Sequence, residues 1–293
     1  MNRLLIVGCG DVLTRALPWL CQRFQVYALA RGAEAAARLR VLGVRPVAGD
    51  LDDPASLARL AGLAEWVLHA APPPGQGEDD PRMRALLAVL VRRAPRRIVY
   101  VGTSGVYGDC GGAVVTETRP LRASTARAKR RVAAELRLRA FALSSGCALR
   151  VLRVPGIYAA DRLSLARLQR GDPVLRREED VFTNHVHAED LARAAALALF
   201  RGPRLRSFNL CDDSCLAMGD YFEAMADIFG LPRPPRMSRA ECLKRLSPAM
   251  ASFMGESRRL DNTRAKRELR LRLSYPEVLA GLRAARDAHP DKE

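Results

Sequence analysis

The first thirty residues constrain the fold most. Leu4-Leu5-Ile6-Val7 is an unbroken apolar run, Gly8-Cys9-Gly10 follows at once, and an amphipathic stretch continues from Val12 to Phe24. A second apolar run begins at Val26 and ends at Ala30, before Arg31. Apolar runs without alternation suit parallel strands buried on both faces. The spacing predicts strand, glycine turn, helix and strand, the opening of a βαβ unit that binds a dinucleotide. Glycines there let the backbone approach a diphosphate, and the helix start offers free N–H groups and a positive dipole end. The pattern G-x-G-x-x-G is incomplete. Leu13 holds the place of the third glycine, which serves close helix–strand packing, so the helix is expected to sit slightly farther out.

The alternation continues down the chain. Helix is predicted over 33–42, stopped by Gly43, and strand over 44–48. Asp53 caps a helix that begins with Pro54, and strand follows over 66–70. Helix over 82–93, strand over 97–101, a long helix over 125–144 and strand over 148–154 complete about six β-α repeats. Such a succession specifies an α/β fold, a Rossmann-type doubly wound parallel sheet. The second half is less regular, with helices expected over 162–170, 188–200, 218–229, 238–246 and 276–288. A strand at 207–210 is expected to join the sheet. The domain reading is a dinucleotide-binding unit over 1–155 and a smaller C-terminal α/β lobe over 156–293, from which segments around 182–210 return to the first unit. The lobe is expected to lie over the carboxyl ends of the strands, where ligands of open α/β sheets bind.

Composition narrows the classes. The 293 residues carry a formal charge of +16, yet only four of the 48 basic residues are lysines, so 44 are arginines, spread along the whole chain. With aromatics at 5%, a base-stacking surface is not expected, and nucleic acid is not taken as a partner. The charge instead favours an anionic cofactor or substrate. No apolar run approaches the roughly 20 residues that span a bilayer, and the first residues lack a secretory pattern. The seven cysteines are scattered without a C-x-x-C pair, which argues for reduced thiols in a cytoplasm and against zinc or a disulfide framework.

Several stretches run in the order of a known family: Ile6 to Gly10, Gly49-Asp50-Leu51, His69-Ala70-Ala71, Val99 to Gly108, Leu152 to Tyr158, and Asn184 to Leu191. Across about two thirds of its length the chain resembles the short-chain dehydrogenase/reductase superfamily, in its extended epimerase/dehydratase-like branch, as an atypical member. The resemblance implies a Rossmann unit binding NAD or NADP, a substrate lobe, and a homodimer through two helices. It places Gly8 and Gly10, with the helix start at Asp11 and Val12, on the diphosphate. Asp50 and Leu51 then border the adenine, Ala70 and Ala71 line the cofactor cleft, and Pro155 with Gly156 shapes the nicotinamide pocket. At the end of the second strand, where NAD-preferring members carry an acid, stand Ala30 and Arg31. Arginine can pair bidentately with a 2′-phosphate, so NADP is expected, with NAD as the alternative.

The catalytic pattern departs from the family. Thr103 fits its Ser/Thr position, but the Tyr-x-x-x-Lys window holds no tyrosine. One register puts Thr125 and Lys129 at the two positions; another, set by matching Glu135 to a later family glutamate, puts Arg127 and Arg131 there. A threonine hydroxyl is a poor general acid, and arginine does not trade protons. Three explanations stay open. Tyr107 or Tyr158 supplies the proton from elsewhere; arginines stabilise an oxyanion with water as proton source; or the protein binds cofactor without turnover. The candidate catalytic residues are Thr103, Lys129 and Tyr107.

Asn184 and His185 are expected to face a substrate cleft. His69 is read as buried and hydrogen-bonded, and His187 with Asp190 as a turn into the next helix, Asp190 capping or pairing locally. Two alternating histidines do not make a metal site, and no metal is expected. Two functions follow: an NAD(P)-dependent oxidoreductase or epimerase-like enzyme for a small, anionic substrate, or a cofactor-binding sensor that has lost its chemistry.

Overall fold

In the computed structural model, which describes residues 1–288, seven parallel strands form one sheet. His289, to which the sequence attaches no role, lies outside the described residues. Strands β1 (Asn2–Val7), β2 (Phe24–Ala30), β3 (Arg45–Ala48), β4 (Trp66–His69) and β5 (Arg97–Val101) are joined by Ala148–Arg153 and Leu205–Asn209. The order across the sheet is β3-β2-β1-β4-β5, then Ala148–Arg153, then Leu205–Asn209 at the edge. The chain moves outward from β1 to β3 and then restarts on the other side of β1 with β4. The loops after β1 and β4 therefore diverge, and that point opens a crevice at the strands' carboxyl ends.

Alternate residues of β1 supply opposite faces. Leu4 and Ile6 join a core built with helix α1 (Asp11–Cys21) and helix Ala188–Phe200. Leu5 and Val7 join a second core with helices α3 (Pro81–Leu90) and α4 (Ala126–Ser145). All four side chains are buried, each contributing about 1.5–3 kcal/mol. Leu13, in place of the third glycine, is itself buried in the first core. Helix α2 (Gly32–Val41) links β2 to β3.

The predicted ends shift by one to three residues, except that strand β5 and helix Ala188–Phe200 match their expected spans. The segment behind Asp53 is a 3-10 helix, Pro54–Leu60, capped by the Asp53 carboxylate on the Ala55 N–H. The helix expected over 162–170 is broken. A 3-10 turn, Ala160–Arg162, precedes a short helix, Leu165–Gln169, because the chain is extended at Leu163. Two short helices, Pro248–Phe253 and Thr263–Glu268, had no periodic signal. Asp190 does not pair only locally: buried, it accepts from the Ser274 and Tyr275 N–H groups at 2.8 and 2.9 Å and so ties helix Ala188–Phe200 to the C-terminal segment.

Many arginines are structural. Arg97 donates to the Leu199 carbonyl and Arg239 to that of Met254, both at 2.5 Å. Arg201 reaches the Leu269 carbonyl at 2.8 Å, and Arg204 that of Gly146. All four acceptors lie in or just past the last turn of a helix, where carbonyls lack intrahelical donors. All seven cysteines are free. No helix among the described residues is long and apolar enough to cross a membrane.

Candidate functional site

Two depressions meet at Pro72 along the strands' carboxyl ends. The first is a groove of about 370 Å³. Gly8 and Gly10 of the glycine turn line it, with Arg31 after β2, Asp50 and Leu51 after β3, and Ala70 and Ala71 after β4. Gly8 has φ +88°, and a Cβ there would lie 2.3 Å from the Ala71 nitrogen. The first turn is thus pressed onto the end of β4, which only glycine permits. A Cβ on Gly10 would meet nothing within 4 Å, so the groove is open above it.

The first helical bond of α1 runs from Thr14 N to Gly10 O at 3.0 Å. The preceding N–H groups of Asp11, Val12 and Leu13 belong to the donors that a helix start leaves for an anion. The Asp11 and Val12 side chains do not line the groove; the Asp11 carboxylate pairs with Arg15 and Arg162.

No acid stands at the end of β2. Besides Arg31, Arg38 on α2 enters the groove, donating to the Cys9 carbonyl at 3.3 Å. Neither has an ion pair among the described residues, whereas Arg82 is held by Asp52 at 2.5 and 2.7 Å. Sequence reading missed Arg38 because it lies two turns into a helix with no motif around it.

The second depression is a cleft of about 520 Å³, lined by Thr103, Pro155, Gly156 and Asn184 and by residues far along the chain, among them Phe182, Met218 and Phe253. Its walls carry Arg127, Arg130, Arg131, Arg162 and Arg258 against one carboxylate, Glu256. Glu256 is taken by Arg258 at 2.8 Å. Arg130 donates to the Gly77 carbonyl at 2.5 Å and Arg131 to the Tyr100 hydroxyl at 3.0 Å, both neutral acceptors. Arg127 lies 4.2 Å over the Phe253 ring and has no ion pair among the described residues. Burial lowers its pKa, with the Glu256 charge opposing. Three guanidiniums from one helix therefore face the cleft without acidic partners in contact.

This arrangement corrects several expectations. Thr125 is the N-cap of α4, accepting from the Ala128 N–H at 3.2 Å. Lys129 does not line the cleft; it is half-exposed and pairs with Glu78 at 2.7 Å. At 100° per residue Lys129 lies about 200° around the helix from Arg127 and from Arg131, which share a face. Glu135, which the second register takes as its anchor, is wholly buried on the face that Arg127 and Arg131 share and is held by Arg153 at 2.8 Å.

Tyr107 is also turned away. Its hydroxyl is buried, donating to Asn209 at 2.7 Å and accepting from Arg153 at 2.9 Å. Burial pushes its pKa up to about 12, with Arg153 opposing. The Tyr158 hydroxyl is buried without a partner among the described residues, and burial raises its pKa further.

Asn184 reaches the cleft, yet both ends of its amide are engaged, with the Arg258 carbonyl at 2.8 Å and the Leu260 N–H at 2.7 Å. His185 is not a lining residue. It lies behind Gly156, stacked 4.0 Å from the Tyr221 ring, and burial holds its pKa at about 3. His69 is buried as expected but not hydrogen-bonded: neither ring nitrogen has a partner among the described residues, and burial with the Arg131 charge brings its pKa to about 3. Thr103 does line the cleft, its hydroxyl accepting from the Gly105 N–H at 3.2 Å.

A family model described as NAD(P)H-binding matches residues 10–201. The chain belongs to the NAD(P)H-binding family. No curated protein matches the sequence significantly. A functionally unknown conserved protein from Silicibacter pomeroyi is 29% identical, with a TM-score of 0.83 over 98% of this chain and 99% of that one. UDP-glucose 4-epimerase from Thermotoga maritima, solved with UDP-glucose, is 17% identical, with a TM-score of 0.77 over 98% of both chains. UDP-glucuronic acid 4-epimerase from Bacillus cereus, in complex with NAD, is 14% identical, with a TM-score of 0.75 over 97% of both. At those identities the two epimerases speak for the fold alone.

Proposed function

We propose that this NAD(P)H-binding protein is an NADP(H)-dependent oxidoreductase or epimerase-like enzyme for a small anionic substrate. The observation that carries this reading is the cleft wall of Arg127, Arg130 and Arg131, which adjoins the dinucleotide groove at Pro72. The cofactor, when bound, supplies or accepts hydride. Gly8, Gly10 and the first N–H groups of α1 hold its diphosphate, Asp50, Leu51, Ala70 and Ala71 border it, and Thr103 and Pro155 flank its nicotinamide end. Arg31 and Arg38 select the 2′-phosphate. Arg127 and Arg131 bind the substrate anion and stabilise developing negative charge, with solvent supplying the proton. One such preorganised donor is worth about 10²–10³ in rate.

Two tests follow. Arg38→Ala is expected to weaken NADPH about tenfold in a fluorescence titration while leaving NADH nearly unchanged. Equal losses for both cofactors would remove Arg38 from phosphate selection. In turnover of NADPH with a panel of carboxylate- and phosphate-bearing carbonyl compounds, Arg127→Ala and Arg131→Ala are each expected to lower the rate about a hundredfold. The second reading, a sensor without turnover, is favoured by the burial of the Tyr107 and Tyr158 hydroxyls. It predicts NADPH binding that persists with no consumption by any member of the panel.

A further inference from the structure

The start of α1 holds a charge conflict. Its first residue, Asp11, places a carboxylate beside the N–H groups that would receive the diphosphate. That carboxylate is half of a reciprocal clasp. Arg162, on the turn Ala160–Arg162, donates to Asp11 at 2.8 Å; Arg15, on α1, donates to Asp11 at 2.9 Å and to Asp161 at 2.6 and 2.7 Å. Two acids and two arginines thus join the cofactor helix to a segment 150 residues later, the sequence separation of the Asp11–Arg162 bond being 151. Arg162 also lines the cleft, so one guanidinium joins the cleft wall to the residue that follows Gly10. Its side chain is 36% exposed and that of Asp11 38%, so solvent reaches both and the pair can exchange partners.

An arriving diphosphate competes with Asp11 for the same donors. It would be repelled by Asp11 unless a cation stays with that carboxylate, and Arg15 is placed to stay. We propose that Arg162 is a further dinucleotide-binding residue, whose guanidinium leaves Asp11 for a phosphate oxygen of the cofactor while Arg15 keeps Asp11 and Asp161 paired. Asp11 is then an internal stand-in for the phosphate, holding Arg162 in place until the cofactor arrives. This rests on the placement of the diphosphate at the Gly8–Gly10 turn.

The test is NADPH titration of the full chain, followed by fluorescence or calorimetry, with melting temperature as the control for folding. Arg162→Ala is expected to weaken NADPH about tenfold, the scale of one charge-assisted bond, and Arg162→Lys to retain most of the affinity. Asp11→Asn is expected to tighten NADPH about threefold, because it removes the competitor and the repulsion. Both effects should shrink at 0.5 M salt, as about 3–10 Å screening lengths require. A purely structural clasp predicts the opposite sign for Asp11→Asn, since breaking the clasp would loosen the site. Weaker or unchanged binding by Asp11→Asn, or unchanged binding by Arg162→Ala, overturns the proposal. Gly10→Ala run alongside separates the failures. If it binds as wild type does, the diphosphate lies elsewhere and both readings fall; if it loses NADPH while Arg162→Ala does not, only the role of Arg162 falls.

Discussion

Gly8→Ala is expected to lower stability by about 3 kcal/mol or more and to abolish dinucleotide binding. The added Cβ would lie 2.3 and 2.6 Å from the nitrogen and Cα of Ala71 and 2.8 Å from the carbonyl carbon of Ala70, all backbone atoms that have no rotamer to change. The backbone at φ +88° adds strain of its own for any L side chain. Relief requires β1 and β4 to part at the point where their loops form the groove. Gly10→Ala is the matched control. Its φ of −88° suits alanine, and its Cβ faces open space, so the melting temperature should hold while NADPH affinity falls at least about tenfold. Urea unfolding of both variants checks the contrast. A Gly8→Ala protein as stable as wild type would mean that the turn does not press on β4.

The second large effect concerns Arg153. Its guanidinium binds Glu135 at 3.2 and 2.8 Å, the Tyr107 hydroxyl at 2.9 Å and the Glu117 carbonyl at 3.2 Å, with the two charged side chains 3% and 0% exposed. Arg153→Met leaves a carboxylate buried without its cation, and a loss of about 3–5 kcal/mol is expected. Adding Glu135→Leu should recover much of that loss, because the isolated charge, more than the missing bond, is what destabilises. The network fastens α4 to the strand Ala148–Arg153, so anion binding at Arg127 and Arg131 should weaken in the single variant as well. If Arg153→Met unfolds at the wild-type urea midpoint, this buried pair does not hold α4.

These residues also show what could be read from the chain alone. The opening strand–turn–helix was legible because apolar runs, glycines and helical spacing report strictly local conformation. The alternation of strands and helices then left few topologies for the sheet. Helix Ala188–Phe200 was legible to the residue, its stripe of alanines and leucines ending where Phe200 meets Arg201. The face of α4 was not. Lys129, Arg127 and Arg131 all sit within five residues, and which of them meets the cleft depends on Glu135 docking against Arg153, a contact across 18 positions. The direction of Tyr107 depends on Asn209, 102 residues away. Most of the cleft wall was illegible for the same reason: Phe253, Glu256 and Arg258 arrive from a segment with no periodic pattern, positioned by long-range packing alone. Thr103 and the groove glycines belong to strand ends, whose place the topology dictates, and so they were found.

The arginines that end helices have a further consequence. Arg97, Arg201, Arg204 and Arg239 grip carbonyl oxygens, not acids, at short range. Dissolved ions weaken attraction between separated charges far more than a short bond from a cation to a dipole. Brine should therefore strip an anion from the cleft well before it disturbs the scaffold, and a salt elution of whatever the cleft holds would leave the emptied protein folded.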